Sequence, residues 1–184
     1  MNDELGPALL MLARGAIAER FGEARLPETN APELALPGAS FVTLTKEGGL
    51  RGCIGSLEAR RALGQDVRAN AFAAAFRDPR FPPLAREELS LIRVEVSLLS
   101  QAQPLSFASE AEALHQLRPG IDGVVFERFS LRSTFLPQVW ESLSDPRQFL
   151  AQLKIKAGLP PDFWSEEVRL SRYQVQKWKE EKRS

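Results

Sequence analysis

Phe41-Val42-Thr43-Leu44-Thr45-Lys46-Glu47-Gly48-Gly49-Leu50-Arg51-Gly52-Cys53-Ile54 is the stretch that decides the fold class. Two apolar-rich runs flank Glu47-Gly48-Gly49, and glycine supplies the positive φ angles that a tight hairpin turn demands. A hairpin here commits the chain to an antiparallel or mixed sheet. Helical segments are interspersed through the rest of the sequence, so the expected class is α+β, with a mixed or mostly antiparallel sheet flanked by helices.

The hairpin register stays open at this level. With a two-residue Gly48-Gly49 loop, Cys53 pairs opposite Leu44 and Arg51 opposite Lys46. With a three-residue loop, Cys53 meets Thr43 and Arg51 meets Thr45. The first register makes Cys53 a buried thiol and the second sets it in a polar pocket, because a one-residue slip exchanges the two faces.

Towards the N-terminus, residues 3–20 carry Leu5, Leu9, Leu12, Ala16 and Ile17 at helical spacing, which predicts an amphipathic helix. Phe21 to Ser40 holds Pro27, Pro32 and Pro37 and reads as a connection. Towards the C-terminus, residues 60–77 read as a helix that Asp78-Pro79 stops, since the residue before proline is pushed out of the α region. Arg80-Phe81-Pro82-Pro83 is then extended. Leu91–Leu99 alternates apolar Ile92, Val94, Val96 and Leu98 with polar Arg93, Glu95 and Ser97, the pattern of a half-buried strand.

Beyond it the reading gives a short helix at Glu110–Leu117, strands at Gly123–Glu127 and Ser133–Leu136, and a helix capped by Asp145 with Pro146 at its first position. Gly158 ends that helix. A late strand near Val168–Val175 leads into a solvated charged tail, residues 177–184. The whole chain, 1–184, is expected to be one domain with two sub-lobes.

The bulk composition excludes several classes. Lys plus Arg and Asp plus Glu each number 24, so the formal net charge is zero and a chain built to coat nucleic acid or an anionic membrane is not expected. One cysteine and one histidine, Cys53 and His115, leave no disulfide and no Cys/His metal site within the chain. Asp3 and Glu4 stand where a signal peptide would be basic, and the apolar stretch 8–13 is too short to span a bilayer. The expectation is a cytoplasmic monomer with no metal and no cofactor. Phosphate-loop, dinucleotide and nucleophile-elbow signatures are absent.

Cys53 is the leading candidate for chemistry. Period-two geometry sets Arg51 on its face of the strand, roughly 6.5–7 Å away along it. A guanidinium can close that gap and favour the thiolate, the reactive form. Gly52 and Gly55 leave bare backbone on either side, open to a ligand or to another chain segment. The plainer alternative is a small buried hydrophobe, which free cysteine commonly is. Asp78 and Arg80 flank Pro79 and can pair across the turn as a loop clamp. Gln138 and Glu141 near Trp140, and the lone His115, are weaker candidates that also suit a surface.

Leu50-Arg51-Gly52-Cys53-Ile54-Gly55 resembles the signature of the AMMECR domain family. Asp78-Pro79-Arg80-Phe81-Pro82-Pro83, Val94–Ser100, Pro119-Gly120-Ile121-Asp122-Gly123, Phe135-Leu136-Pro137-Gln138-Val139 and Lys156-Ala157-Gly158-Leu159-Pro160-Pro161 follow in the family's order. The resemblance runs from about residue 5 to about 176. It implies an α+β fold in two lobes with the cysteine motif near a cleft between them, and no established activity. Bacterial members are similar to protein A of the AmmeMemoRadiSam system, which implies a Memo-like protein and a radical-SAM protein as partners. The motif carries over onto Arg51, Gly52, Cys53 and Gly55, onto Arg80, Phe81 and Pro82, and onto Pro137 and Gln138. Many members have histidine where Asp122 stands here, so Asp122 would have to take over any acid–base work of that histidine.

Two functional expectations follow. One is an accessory or substrate-presenting component of a modification system. The other is an enzyme or small-molecule binder with Cys53 as the catalytic group. In it Arg51, Gly52, Gly55, Asp78, Arg80, Asp122 and Gln138 would form the binding set for an anionic or nucleotide-like ligand, because arginine grips carboxylate or phosphate bidentately.

Overall fold

The computed structural model describes residues 4–23 and 31–181. The hairpin forms as β1 (Ala39–Lys46) and β2 (Gly49–Gly55). Glu47 and Gly48 make the turn, both at positive φ (51° and 83°), as a type I′ hairpin requires. Pairing starts with Lys46 opposite Gly49 and Thr45 opposite Leu50, then jumps to Leu44 opposite Gly52. Arg51 is therefore the extra residue of a β-bulge, and beyond it Cys53 faces Thr43. Neither uninterrupted register describes this strand. A two-residue turn plus one bulged residue gives the pairing at Cys53 that a three-residue loop would give.

The chain forms two compact units, Met1–Leu99 with Gln176–Ser184, and Ser100–Val175. In the first, β3 (Ile92–Leu99) pairs antiparallel with β1, and β8 (Val175–Lys179) completes the strand order β2-β1-β3-β8. Alternation sends Val42, Leu44, Ile92, Val94 and Val96 to one face. There they meet Leu9, Ala13 and Ile17 of α1 (Leu5–Ala18) and Val67, Ala71 and Ala74 of α2 (Leu63–Phe76). Burying each large aliphatic side chain of this set is worth roughly 1.5–3 kcal/mol, so the apolar stripe of each helix is what fixes it on the sheet.

The second unit holds β4 (Gln103–Pro104), α3 (Glu110–Gln116), β5 (Gly123–Arg128), β6 (Leu131–Phe135), α4 (Pro146–Lys156) and β7 (Arg169–Tyr173). Its sheet has the order β4-β7-β5-β6, antiparallel throughout. Phe126, Phe149, Leu150, Leu153 and Leu170 form the core, with the Trp140 indole stacked on Phe149 at 3.7 Å between centroids. The Asp145 carboxylate accepts the Arg147 N–H at the start of α4, and Gly158 closes it at φ 91°. The α+β class and the antiparallel sheets are as expected.

Three elements differ from the sequence expectation. Residues 128–132, read as a connection, turn in two residues, Phe129 and Ser130, to make the β5–β6 hairpin. The late strand is two strands, β7 and β8. Much of the expected solvated tail is therefore structured. Lys177–Lys179 lie in β8, and the Glu180 carboxylate accepts the Val94 N–H at 2.9 Å and pairs with Arg14. The buried Arg14 guanidinium also donates to the Leu89 and Ile92 carbonyls, so Glu180 answers a charge that the core would otherwise leave unpaired. Residues 182–184 of the expected tail, and the Pro27 part of the connection, lie outside the described residues.

Candidate functional site

β2 is an edge strand. Its pairing to β1 turns the Cys53 N–H and C=O outward, where an edge leaves such groups without partners. The loop after α2 supplies them. Asp78-Pro79 ends α2 and aims the Asp78 carboxylate back at β2, where Oδ2 accepts the Cys53 N–H at 2.9 Å. Arg80 closes over the same carboxylate with Nε to Oδ1 at 3.0 Å and Nη2 to Oδ2 at 2.7 Å, and Nη2 reaches the Cys53 carbonyl at 3.4 Å. The Arg80 guanidinium, helped by the Cys53 and Arg80 N–H groups, outweighs burial and holds the Asp78 carboxyl well below the usual carboxylate range. The pair acts as a surrogate strand partner for Cys53.

Arg51 goes elsewhere. The bulge turns its side chain onto Glu88, with Nε to Oε1 and Nη2 to Oε2 both at 2.9 Å, and Nη2 also donates to the Pro82 carbonyl at 3.0 Å. Lys46 Nζ donates to Glu88 Oε1 at 3.0 Å, and the Ala85 N–H donates to Oε2 at 3.0 Å. These donors, Arg51 foremost, lower the Glu88 pKa to about 2 against the opposing effect of burial. The Phe81 ring lies beneath both guanidinium groups, 5.9 Å from Arg51 and 5.5 Å from Arg80. So the sequence neighbour of the thiol is bound to a carboxylate, and the guanidinium beside Cys53 comes from Arg80.

Cys53 Sγ is half-buried and lies 3.3 Å from Thr43 Oγ1. Thr43 in turn pairs with Glu95 of β3, and Lys177 and Lys179 of β8 approach the Glu95 carboxylate at 4.0 and 3.8 Å. Cys53, Thr43, Glu95 and the two lysines thus form one polar row across all four strands, on the face opposite the helices. The flanking glycines serve packing. A Cβ at Gly52 would collide with the Ala74 carbonyl of α2, and one at Gly55 with the Phe41 ring.

The structure therefore gathers Arg51, Gly52, Cys53, Gly55, Asp78 and Arg80 in the first unit. Asp122 and Gln138 belong to the second. Asp122 is fully buried; it accepts the Arg118 N–H at 2.9 Å and the guanidinium at 2.6 Å, and its carbonyl accepts the Trp140 indole N–H. Those contacts fasten the Pro119-Gly120 turn. Gln138 is exposed in a short 3-10 turn, and His115 is exposed on α3.

Two residues of the first unit carry more than sequence reasoning gave them. Glu88 is one. Its reach to the Ala85 N–H three residues earlier is half of a capping box and was the available signal. Asp66 is the other: buried in the first turn of α2, it accepts from the Ser40 N–H and hydroxyl, the Ser56 hydroxyl, Arg61 and Asn70. That carboxylate ties both ends of the hairpin to the helix.

A cavity of about 690 Å³ lies within the second unit, walled by Phe107, Glu110, Glu127, Trp164 and Arg169. Two of its carboxylates already have cations, Glu110 with the buried Lys154 ammonium at 2.6 Å and Glu127 with Arg132 at 3.3 Å. Among the described residues, no helix is long and apolar enough to cross a membrane, and no three His, Cys, Asp or Glu side chains group to hold a metal ion.

Comparison with known proteins gives a consistent picture. The AMMECR1 family profile matches residues 10–178. A protein of Methanothermobacter thermautotrophicus is 41% identical over 181 residues, 96% of this chain and 94% of that one. A Saccharolobus islandicus protein is 41% identical over 182 residues, covering 94% of this chain and 80% of its own. Among solved structures, the uncharacterized protein PH0010 from Pyrococcus horikoshii matches with a TM-score of 0.81 at 34% identity, over 98% of this chain and 94% of that one.

Proposed function

The chain belongs to the AMMECR1 family, and on that premise we propose that it serves as an accessory or substrate-presenting component of a modification system, a cytoplasmic monomer that works with a Memo-like protein and a radical-SAM protein. The observation that carries the reading is that both arginines of the motifs are already paired with carboxylates. Arg51 is held bidentately by Glu88, and Arg80 by Asp78. A guanidinium already forked onto a carboxylate has little left for an anionic substrate, and the one Arg51 nitrogen without a partner, Nη1, is buried. The same pairs stiffen the edge strand and the loop beside it, which suits a surface that is recognised.

The test is co-purification of the tagged full chain with both partner proteins under anaerobic conditions. The expected result is a stable complex that Arg80→Glu weakens at least tenfold while circular dichroism is unchanged. Failure of all three proteins to associate overturns the reading.

A second reading is favoured by the half-buried thiol on Thr43 and the polar row beside it. In it Cys53 itself meets a small molecule, and the arginines only hold the strand. It predicts that Cys53→Ser abolishes ligand binding while complex formation survives.

A further inference from the structure

Arg128 and Phe129 stand apart from the rest of the second unit. Among the described residues most arginines are matched to a carboxylate or a carbonyl, as Arg14, Arg51, Arg80 and Arg118 are. Arg128 is partly buried, its Nε–H has no acceptor, and no hydrogen bond or ion pair engages the rest of its guanidinium among the described residues. It is held instead by two rings, with Phe163 at 4.6 Å and Phe129 at 5.0 Å from the guanidinium carbon. Stacking of this kind fixes the plane of the guanidinium; the Nε–H is closed off from solvent, and the Nη groups are the ones left to donate.

Phe129 is a poor choice for its position on structural grounds. It is the first residue of a two-residue hairpin turn at φ 52°, a conformation that glycine or asparagine adopts readily and a bulky aromatic side chain rarely does. Its ring is also 75% exposed, so little burial compensates for the backbone strain. Strain held at an exposed tip, next to an arginine without an acceptor, calls for an explanation outside the fold.

We propose that the Phe129–Arg128–Phe163 stack is a receptor for a carboxylate carried beside an apolar side chain, as in an acidic segment of a protein partner. The guanidinium edge grips the carboxylate, and the open ring of Phe129 covers the neighbouring apolar group. Glu167 lies within electrostatic reach of Arg128 without hydrogen bonding to it, and opposes the incoming charge. The inference stands independently of the role assigned to the Cys53 region.

The experiment is a titration of the isotope-labelled full chain, followed by NMR, with a capped leucine–glutamate–leucine peptide, its leucine–glutamine–leucine counterpart, acetate and inorganic phosphate. The expected result is shift changes centred on Phe129, Phe163 and the Arg128 Nε–H, with affinity for the glutamate peptide at least tenfold above the glutamine peptide and above acetate. Arg128→Gln removes the binding, and Glu167→Gln strengthens it. Phe129→Gly weakens binding at least threefold while leaving the melting temperature equal or higher. Equal binding of both peptides overturns the carboxylate claim, and acetate or phosphate binding as tightly as the peptide makes this a small-anion site only. A clear fall in the melting temperature of Phe129→Gly makes the stack structural and overturns the proposal.

Discussion

Asp78 meets Cys53 through the backbone. Its carboxylate accepts the Cys53 N–H at 2.9 Å while Arg80 holds the same oxygen at 2.7 Å. One residue of an edge strand is thereby closed without a neighbouring strand. Asp78→Ala removes both contacts and leaves the Cys53 N–H without its acceptor, a loss of about 1–3 kcal/mol. Urea unfolding of the variant should show that drop. Wild-type stability would mean that the edge does not depend on the clamp.

Glu88 makes a pH-dependent contribution with a definite sign. Its folded pKa, about 2, lies below the ordinary 4.5, so its stabilisation is complete above pH 4.5 and is lost as pH falls towards 2. Glu88→Gln strands the buried Arg51 charge at neutral pH, at a cost of about 3 kcal/mol, the lower end for breaking a buried pair. Stability curves of wild type and variant should converge on acidification. Parallel curves from pH 7 to 2 would remove Glu88 from the account.

The two motif glycines should differ. At Gly52 a Cβ meets the rigid Ala74 carbonyl, and α2 would have to lift from the sheet. Gly52→Ala should lose roughly 3 kcal/mol, at the high end for overpacking. At Gly55 the obstacle is the Phe41 ring, which can turn aside, so Gly55→Ala should be milder. Thermal melts of the two variants give the order directly.

Cys53 should be alkylated by a small thiol reagent in the folded protein, more slowly than in urea, because most of it is covered and Thr43 Oγ1 lies on the sulfur. Arg51→Ala should leave the rate nearly unchanged, since Glu88 already holds that guanidinium. Labelling only after unfolding would make the thiol a core group.

The sequence carried the hairpin at Gly48 and the capped helix at Asp145 because local chemistry alone sets them: turn glycines, an acceptor at the helix start, proline at its first position. The bulge at Arg51 had no such marker. It is held by Glu88, 37 positions away, and a bulge adds a residue without altering the composition around it. The β5–β6 turn was hidden for the opposite reason, since Phe129-Ser130 lacks the residues that turns favour. β8 looked like a tail because its lysines are charged, yet they answer Glu95 across the sheet. Motif order put Cys53, Asp78 and Arg80 on one list. Which of them touch, and through which atoms, was a matter of tertiary geometry.

β8 joins the first unit's sheet beside β3, although residues 100–174, nearly the whole second unit, separate the two along the chain. During synthesis the second unit therefore emerges whole while the first still lacks a strand. Until β8 is made, β3 is an edge with open backbone donors and acceptors, so the first unit's sheet is the last part of the molecule to close.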